Sequence, residues 1–284
     1  MIIKMSKIAI RIPIAERKSP GHFALSARER KGIMKTKRLI ALASAICALC
    51  LIFSGCGSGG TASPETTQAA TQAETVKPKT TVDASWFDDA VFVGDSVTLA
   101  LSYYCADNPD ALGKAQFFCA GSLGYGSALW ALDDPEAVHP YYRGEVHLTE
   151  DCALVTGADK VFVMLGINDL GLYGIDDTLK NFKTLLLNIN SKSPGAKIYV
   201  QSVTPMIDGK EYESLTNEMI REFNSKLKAA CDASEIPYLD IYGVVADEEG
   251  FLRDDYCGDP DAMGIHFTDA ACELWTKYLK ENVQ

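Results

Sequence analysis

From Val82 onward the chain alternates short, continuous apolar runs with longer stretches in which apolar residues recur every three or four positions. Ala90-Val91-Phe92-Val93-Gly94 is one such run, stopping at glycine, and Ala115–Ala120, Lys160–Leu165, Lys197–Val203 and Ile236–Ile241 are four more. A strand with one wet face alternates apolar and polar residues, so continuous short runs predict strands buried on both faces. Between them, Leu179, Phe182, Leu185, Leu186 and Ile189 share one face of a helix predicted over Asp176–Ile189. Met219, Ile220, Phe223 and Leu227 do the same within Leu215–Cys231. Val97–Cys105 and Thr268–Leu279 read as two further helices, the last with Thr268 as its N-cap. Buried strands alternating with amphipathic helices predict an α/β fold, a central and mostly parallel five-stranded sheet covered on both faces. No internal repeat is visible, and residues 83–284 suit one domain.

The N-terminal part follows other patterns. Met34-Lys35-Thr36-Lys37-Arg38 is basic, Leu39–Phe53 is almost wholly apolar, and Ser54-Gly55-Cys56 ends in small residues. That is the pattern of a secretory signal over residues 34–55, its apolar stretch too short to span a bilayer. A cysteine directly after Ser-Gly resembles the lipobox of bacterial lipoproteins, with Phe53 where leucine is usual. The resemblance implies cleavage before Cys56 and lipidation of that residue, hence anchoring to the cell membrane. Residues 1–33 are basic and irregular, and are expected to be an extension upstream of a true start at Met34. Residues 56–82 are rich in Gly, Ser, Thr, Ala and Gln with almost no large apolar residue, the composition of a flexible tether.

Residues 1–55 are basic, with 11 Lys and Arg against 2 Asp and Glu. Beyond them 16 Lys and Arg stand against 36 Asp and Glu, a formal net charge of −20. Such a surface repels nucleic acid and anionic membrane, so neither is expected as a partner of the domain itself. Six cysteines lie in the domain: Cys105, Cys119, Cys152, Cys231, Cys257 and Cys272. An even number outside the cell permits disulfides, while their apolar neighbourhoods suit buried free thiols equally well. None has metal-like spacing, and His139 and His147 have no carboxylate at such a spacing; both read as loop or surface histidines. Trp130, Tyr141 and Tyr142 read as core or surface aromatics, with stacking on a sugar as the alternative.

In a parallel sheet, sites form at the carboxyl ends of the strands. Those ends carry Gly94-Asp95-Ser96, the glycine-rich Gly121–Gly126, Gly166-Ile167-Asn168-Asp169, Thr204-Pro205, and His266 in the loop before the last helix. A serine at a strand-to-helix turn presents its hydroxyl near a helix N-terminus, where developing negative charge is favoured. Serine needs a base, which His266 can supply. Acyl transfer needs donors for the oxyanion, available from the Ser96 N–H, a glycine N–H of the second loop and the Asn168 amide.

These blocks, in this order, resemble the SGNH (GDSL-type) hydrolase family over residues 88–284. The resemblance implies a flavodoxin-like three-layer sandwich and ester hydrolysis through an acyl-enzyme without metal or cofactor. It implies Ser96 as nucleophile and oxyanion donor, Asn168 and Gly124 as further donors, and His266 as general base. The family's orienting aspartate lies three residues before the histidine, where this chain has Met263. Within Gly258–Gly264 two other carboxylates are present, and Asp261 reaches the ring if the loop bulges. Otherwise a backbone carbonyl must orient the ring, leaving a Ser–His dyad, or the enzyme is weakened. With the expected export, the resemblance implies a serine esterase acting on short acyl esters, O-acetyl groups of carbohydrate or cell-wall glycan above all. An O-acyltransferase of the same fold and a weakened glycan-binding member are the alternatives.

Overall fold

The computed structural model describes residues 80–212 and 214–283. The expected extension at 1–33, the signal at 34–55, Cys56 and the tether up to residue 79 lie outside the described residues. Five strands form one sheet: β1 (Ala90–Gly94), β2 (Gln116–Cys119), β3 (Lys160–Met164), β4 (Lys197–Gln201) and β5 (Tyr238–Leu239). Their order is β2-β1-β3-β4-β5 and every pairing is parallel. Around them lie α1 (Ser96–Asp107), α2 (Cys152–Thr156), α3 (Ile167–Lys192), α4 (Asn217–Ala233), α5 (Ile241–Val245) and α6 (Asp269–Asn282). The expected α/β architecture is therefore present, with a fully parallel sheet. Among these residues no helix is long and apolar enough to cross a membrane.

The two-residue period of a strand, with both faces covered, explains the continuous apolar runs in the strands. Val91, Val93, Val161, Val163 and Val200 point to one face and pack with Leu185 and Ile189 of α3 and Ile220 and Phe223 of α4. Their neighbours Phe92, Phe162 and Tyr199 point to the other face, with Leu101 of α1 and Trp275 of α6. On that second face four rings form a row across β2, β1, β3 and β4. Phe117–Phe92 centroids are 5.4 Å apart, Phe92–Phe162 4.6 Å and Phe162–Tyr199 4.6 Å, all stacked. Trp275 is fully buried beside them, with its indole N–H donated to Gln201 at 2.8 Å.

The chain leaves β1 for β2 on one side and then crosses to β3 on the other, so the order reverses at β1. This is the switch point at which open α/β sheets form a crevice beyond their strand ends. Gly94 ends β1 there, opposite Cys119 and Met164. A Cβ on Gly94 would stand 1.9 Å from Thr98 Oγ1 and 2.9 Å from the Met164 carbonyl oxygen. Only glycine lets the first turn of α1 sit this close to the sheet.

Two regions depart from the expected pattern. Residues 127–157, in which no element is expected, hold a 3-10 turn (Ser127–Leu129), a two-stranded hairpin (Tyr141–Tyr142 with Glu145–Val146), a second 3-10 turn (Thr149–Asp151) and α2. Tyr142 and His147 pack on Phe118 at 5.7 and 5.9 Å and cover the edge strand β2, whereas Tyr141 is exposed. Helix α3 begins at Ile167, nine residues before the expected start, and is broken at Gly174 (φ 71°, ψ 178°). Its first segment, with Asn168, Asp169, Gly171 and Gly174, has the composition of a turn yet is helical.

Candidate active site

Ser96 is the first residue of α1, and Asp95 caps that helix by accepting the Val97 N–H at 2.9 Å. The strand–turn–helix path leaves Ser96 half-buried at the switch point. His266 arrives from the loop before α6. Its Nε2 lies 2.9 Å from Ser96 Oγ, and its Nδ1 lies 2.7 Å from Oδ2 of Asp259.

That carboxylate is the correction to the expected site. Asp261 is exposed, and the group on the ring is Asp259, seven residues before the histidine. The loop is pinched shut by an antiparallel bridge between Cys257 and Phe267, with the Gly258 N–H on the His266 carbonyl at 2.7 Å. Inside it Asp259 collects the chain around itself. Oδ1 accepts the Ile265 and His266 N–H groups, both at 3.0 Å, and Oδ2 accepts the Met263 N–H at 3.2 Å. The Cys257 thiol donates to Oδ1 at 3.5 Å. Met263 thus contributes its backbone N–H to the carboxylate, while its side chain is exposed. Burial alone would raise the pKa of Asp259, but the His266 ring N–H and backbone N–H outweigh it and hold the carboxyl below the usual carboxylate range. The signal that marks Asp259 in the sequence is Asp-Pro between two glycines. An aspartate there initiates a turn and accepts N–H groups further along the chain.

Asn168 lies in the first turn of α3, beyond the end of β3. Its amide donates to the Leu123 carbonyl at 3.1 Å, which joins the third block to the second. The adjacent Asp169 is buried and accepts the Tyr125 N–H at 2.8 Å and the Gly126 N–H at 2.7 Å. Gly124 departs from its expected role in one respect: its N–H is directed at Ser127 Oγ, 3.0 Å away. To meet an oxyanion this N–H has to leave the serine hydroxyl. The six cysteines are free thiols, four of them buried, and Cys257 is the one that touches the site. Among the described residues no group of three or more His, Cys, Asp or Glu is placed to hold a metal ion.

Asp95 is almost fully buried beside this arrangement. Burial pushes its pKa up to about 7; the Val97 N–H and the nearby His266 oppose the rise, and Asp169 adds to it. A raised carboxyl favours its protonated form in the fold, so its contribution is present below 3.8 and is lost as pH rises through about 7. Asp95→Asn keeps a capping oxygen. It is expected to melt like the wild type near pH 4 and above it at pH 8. Calorimetry showing the same difference at both pH values contradicts this.

A serine hydroxyl with a histidine nitrogen within hydrogen-bond reach and a carboxylate behind that ring is an arrangement able to carry out acyl transfer. The sequence profile of the GDSL-like Lipase/Acylhydrolase family matches residues 92–274. Among solved structures, one described as a candidate platelet activating factor from Streptococcus pneumonia is 20% identical, with 69% of this chain and 84% of that one covered at a TM-score of 0.52. A GDSL-like lipase from Bacteroides thetaiotaomicron is 17% identical over 68% and 86% of the two chains, at 0.51. A candidate acylhydrolase from Bacteroides fragilis is 15% identical over 67% and 84%, also at 0.51. At these identities the shared property is the fold. No curated protein matches the chain.

Proposed function

The chain belongs to the GDSL-like lipase/acylhydrolase family, and from that premise we propose that it is an exported, lipid-tethered serine esterase that removes short acyl groups, acetyl above all, from carbohydrate or cell-wall glycan. The observation that carries the catalytic part is the unbroken line of hydrogen bonds from Ser96 Oγ through His266 to Asp259. Ser96 Oγ attacks the ester carbonyl while its proton passes to His266 Nε2. Asp259 keeps the other ring proton on Nδ1 and stabilises the imidazolium that forms. The negative charge on the carbonyl oxygen is met by the Ser96 N–H, the Asn168 amide and the Gly124 N–H once it leaves Ser127 Oγ, at the positive end of α1. The alcohol leaves with the proton from His266. Water, deprotonated by the same nitrogen, then releases the acid from the acyl-serine.

Export and anchoring rest on the signal-like residues 34–55 and on Cys56. A tethered enzyme of this kind meets glycan esters at the cell surface, and no extended apolar lid for a long acyl chain is evident in the sequence. Asp259 on Nδ1 supplies the carboxylate that Met263 cannot, which supports turnover over a weakened enzyme.

Cells expressing the full chain are expected to carry p-nitrophenyl acetate hydrolysis in their membrane fraction, with a fluorophosphonate label on Ser96. Cys56→Ser is expected to move both to the soluble fraction. Failure to label Ser96 ends the serine-esterase reading, and unchanged fractionation of Cys56→Ser ends the anchor.

A further inference from the structure

We propose that Asp169 is a positioning residue for the oxyanion hole, acting by clamping the glycine-rich loop that contains Gly124. The inference rests on the esterase reading above and concerns a residue to which that mechanism assigns no part.

Residues 121–126 contain three glycines, and a loop of this composition has little stiffness of its own. Local bonds hold Gly124, its N–H on Ser127 Oγ and its carbonyl on the Ala128 N–H, and the rest of the anchoring comes from outside the loop. Asn168 and Asp169, adjacent residues in the first turn of α3, make three hydrogen bonds to it. Asn168 donates to Leu123 O, and the two carboxylate oxygens of Asp169 each take one N–H, from Tyr125 and from Gly126. A carboxylate suits this task because it accepts at both oxygens and donates at neither. Asp169 is 1% exposed, and burial raises its pKa against the pull of those two N–H groups. A buried carboxylate is costly unless its hydrogen bonds are complete, and here they come from the loop.

The approach is close. A Cβ on Gly124 would stand 2.5 Å from Asp169 Oδ2. Gly124 therefore lies against the carboxylate, which holds the two peptides that follow it, while its own N–H is on Ser127 Oγ; the clamp fixes where the loop backbone stands, and from there the Gly124 N–H turns to an oxyanion. Asn168 and Asp169 share one helical turn. The side-chain donor and the loop donor are consequently referenced to the same rigid element, and relative placement within tenths of an ångström is what an oxyanion hole requires.

The test is Asp169→Asn in the full chain. The amide can accept one N–H and presents its own N–H₂ to the other. Steady-state hydrolysis of p-nitrophenyl acetate, per active site titrated with fluorophosphonate, is expected to show kcat down by about 10- to 100-fold, as for the partial loss of one oxyanion donor, with KM within about threefold. The rate of labelling by the fluorophosphonate should fall in parallel, because that reaction also develops charge on an oxygen in the hole. A purely structural role lowers Tm and the number of active sites but leaves kcat per site unchanged, and that outcome overturns the proposal. If Asp169→Asn does not fold, Gly124→Ala decides. Its methyl group displaces the same contact, and an unaltered kcat per site in that variant overturns the proposal equally. A wild-type chain inert to both ester and probe sinks the esterase reading and this inference with it. An active wild type with unaffected variants sinks this inference alone.

Discussion

Ser96→Ala is expected to lower kcat for ester hydrolysis on the order of 10⁶-fold and to abolish fluorophosphonate labelling while leaving the melting temperature unchanged. The fold has no stake in the hydroxyl. The cap of α1 is the Asp95 carboxylate on the Val97 N–H, and Gly94 provides the close approach of helix to sheet. The one side-chain contact of Ser96 in the site is with His266 Nε2 at 2.9 Å. Removing the oxygen therefore removes the chemistry and little else. His266→Ala should lose a similar amount, because an unassisted serine is a weak nucleophile. The double variant should be no worse than either single one, since the two groups act as a unit. Kinetics with a short p-nitrophenyl ester measure all three. Losses that multiply in the double variant would mean that the 2.9 Å contact is not the one through which the proton moves.

Asp259→Asn is expected to lower kcat on the order of 10⁴-fold, with Asp261→Asn within about twofold of the wild type. An amide in place of the carboxylate can turn its N–H₂ toward Nδ1, which then holds no proton, and Nε2 becomes a donor where an acceptor is needed. The same substitution disturbs the loop, because Oδ2 also takes the Met263 N–H. The Asp259 carboxyl is held below its ordinary range. It therefore stabilises the folded loop at neutral pH, and that contribution disappears only as pH falls through its depressed value. A mild acid limb in the rate profile should consequently not belong to Asp259. Equal damage from Asp259→Asn and Asp261→Asn would mean that the loop rearranges in solution and that the 2.7 Å contact is not the working one.

What was legible in the sequence follows from burial. The central strands are covered on both faces, so they stand out as continuous apolar runs such as Val91-Phe92-Val93 and Val161-Phe162-Val163. Strand ends in such a sheet lie together, so Ser96, Asn168 and His266 are legible as one site from their places after the apolar runs. Asp259 is not, because its reach depends on a loop that folds back through three main-chain hydrogen bonds to one carboxylate, and no periodicity encodes that path. The first half of α3 was hidden for a related reason. Ile167–Tyr173 has turn-like residues, and Asp169 is needed there for its side chain rather than for helix propensity. The hairpin at Tyr141–Val146 is held by Tyr142 and His147 against Phe118, contacts between residues more than 20 positions apart.

The folded-back loop at Asp259 also bears on how such enzymes diversify. Chemistry asks for a carboxylate at Nδ1, and the chain path decides where along the sequence it comes from. In this chain the aspartate on the ring stands seven positions before the histidine, and residue 263 gives it only a peptide N–H. Its side chain is exposed, and the hydrogen bond to the carboxylate does not depend on what that side chain is. A motif that insists on aspartate three residues before histidine therefore recognises one route of the loop, and it passes over proteins that reach the same three-residue line by another.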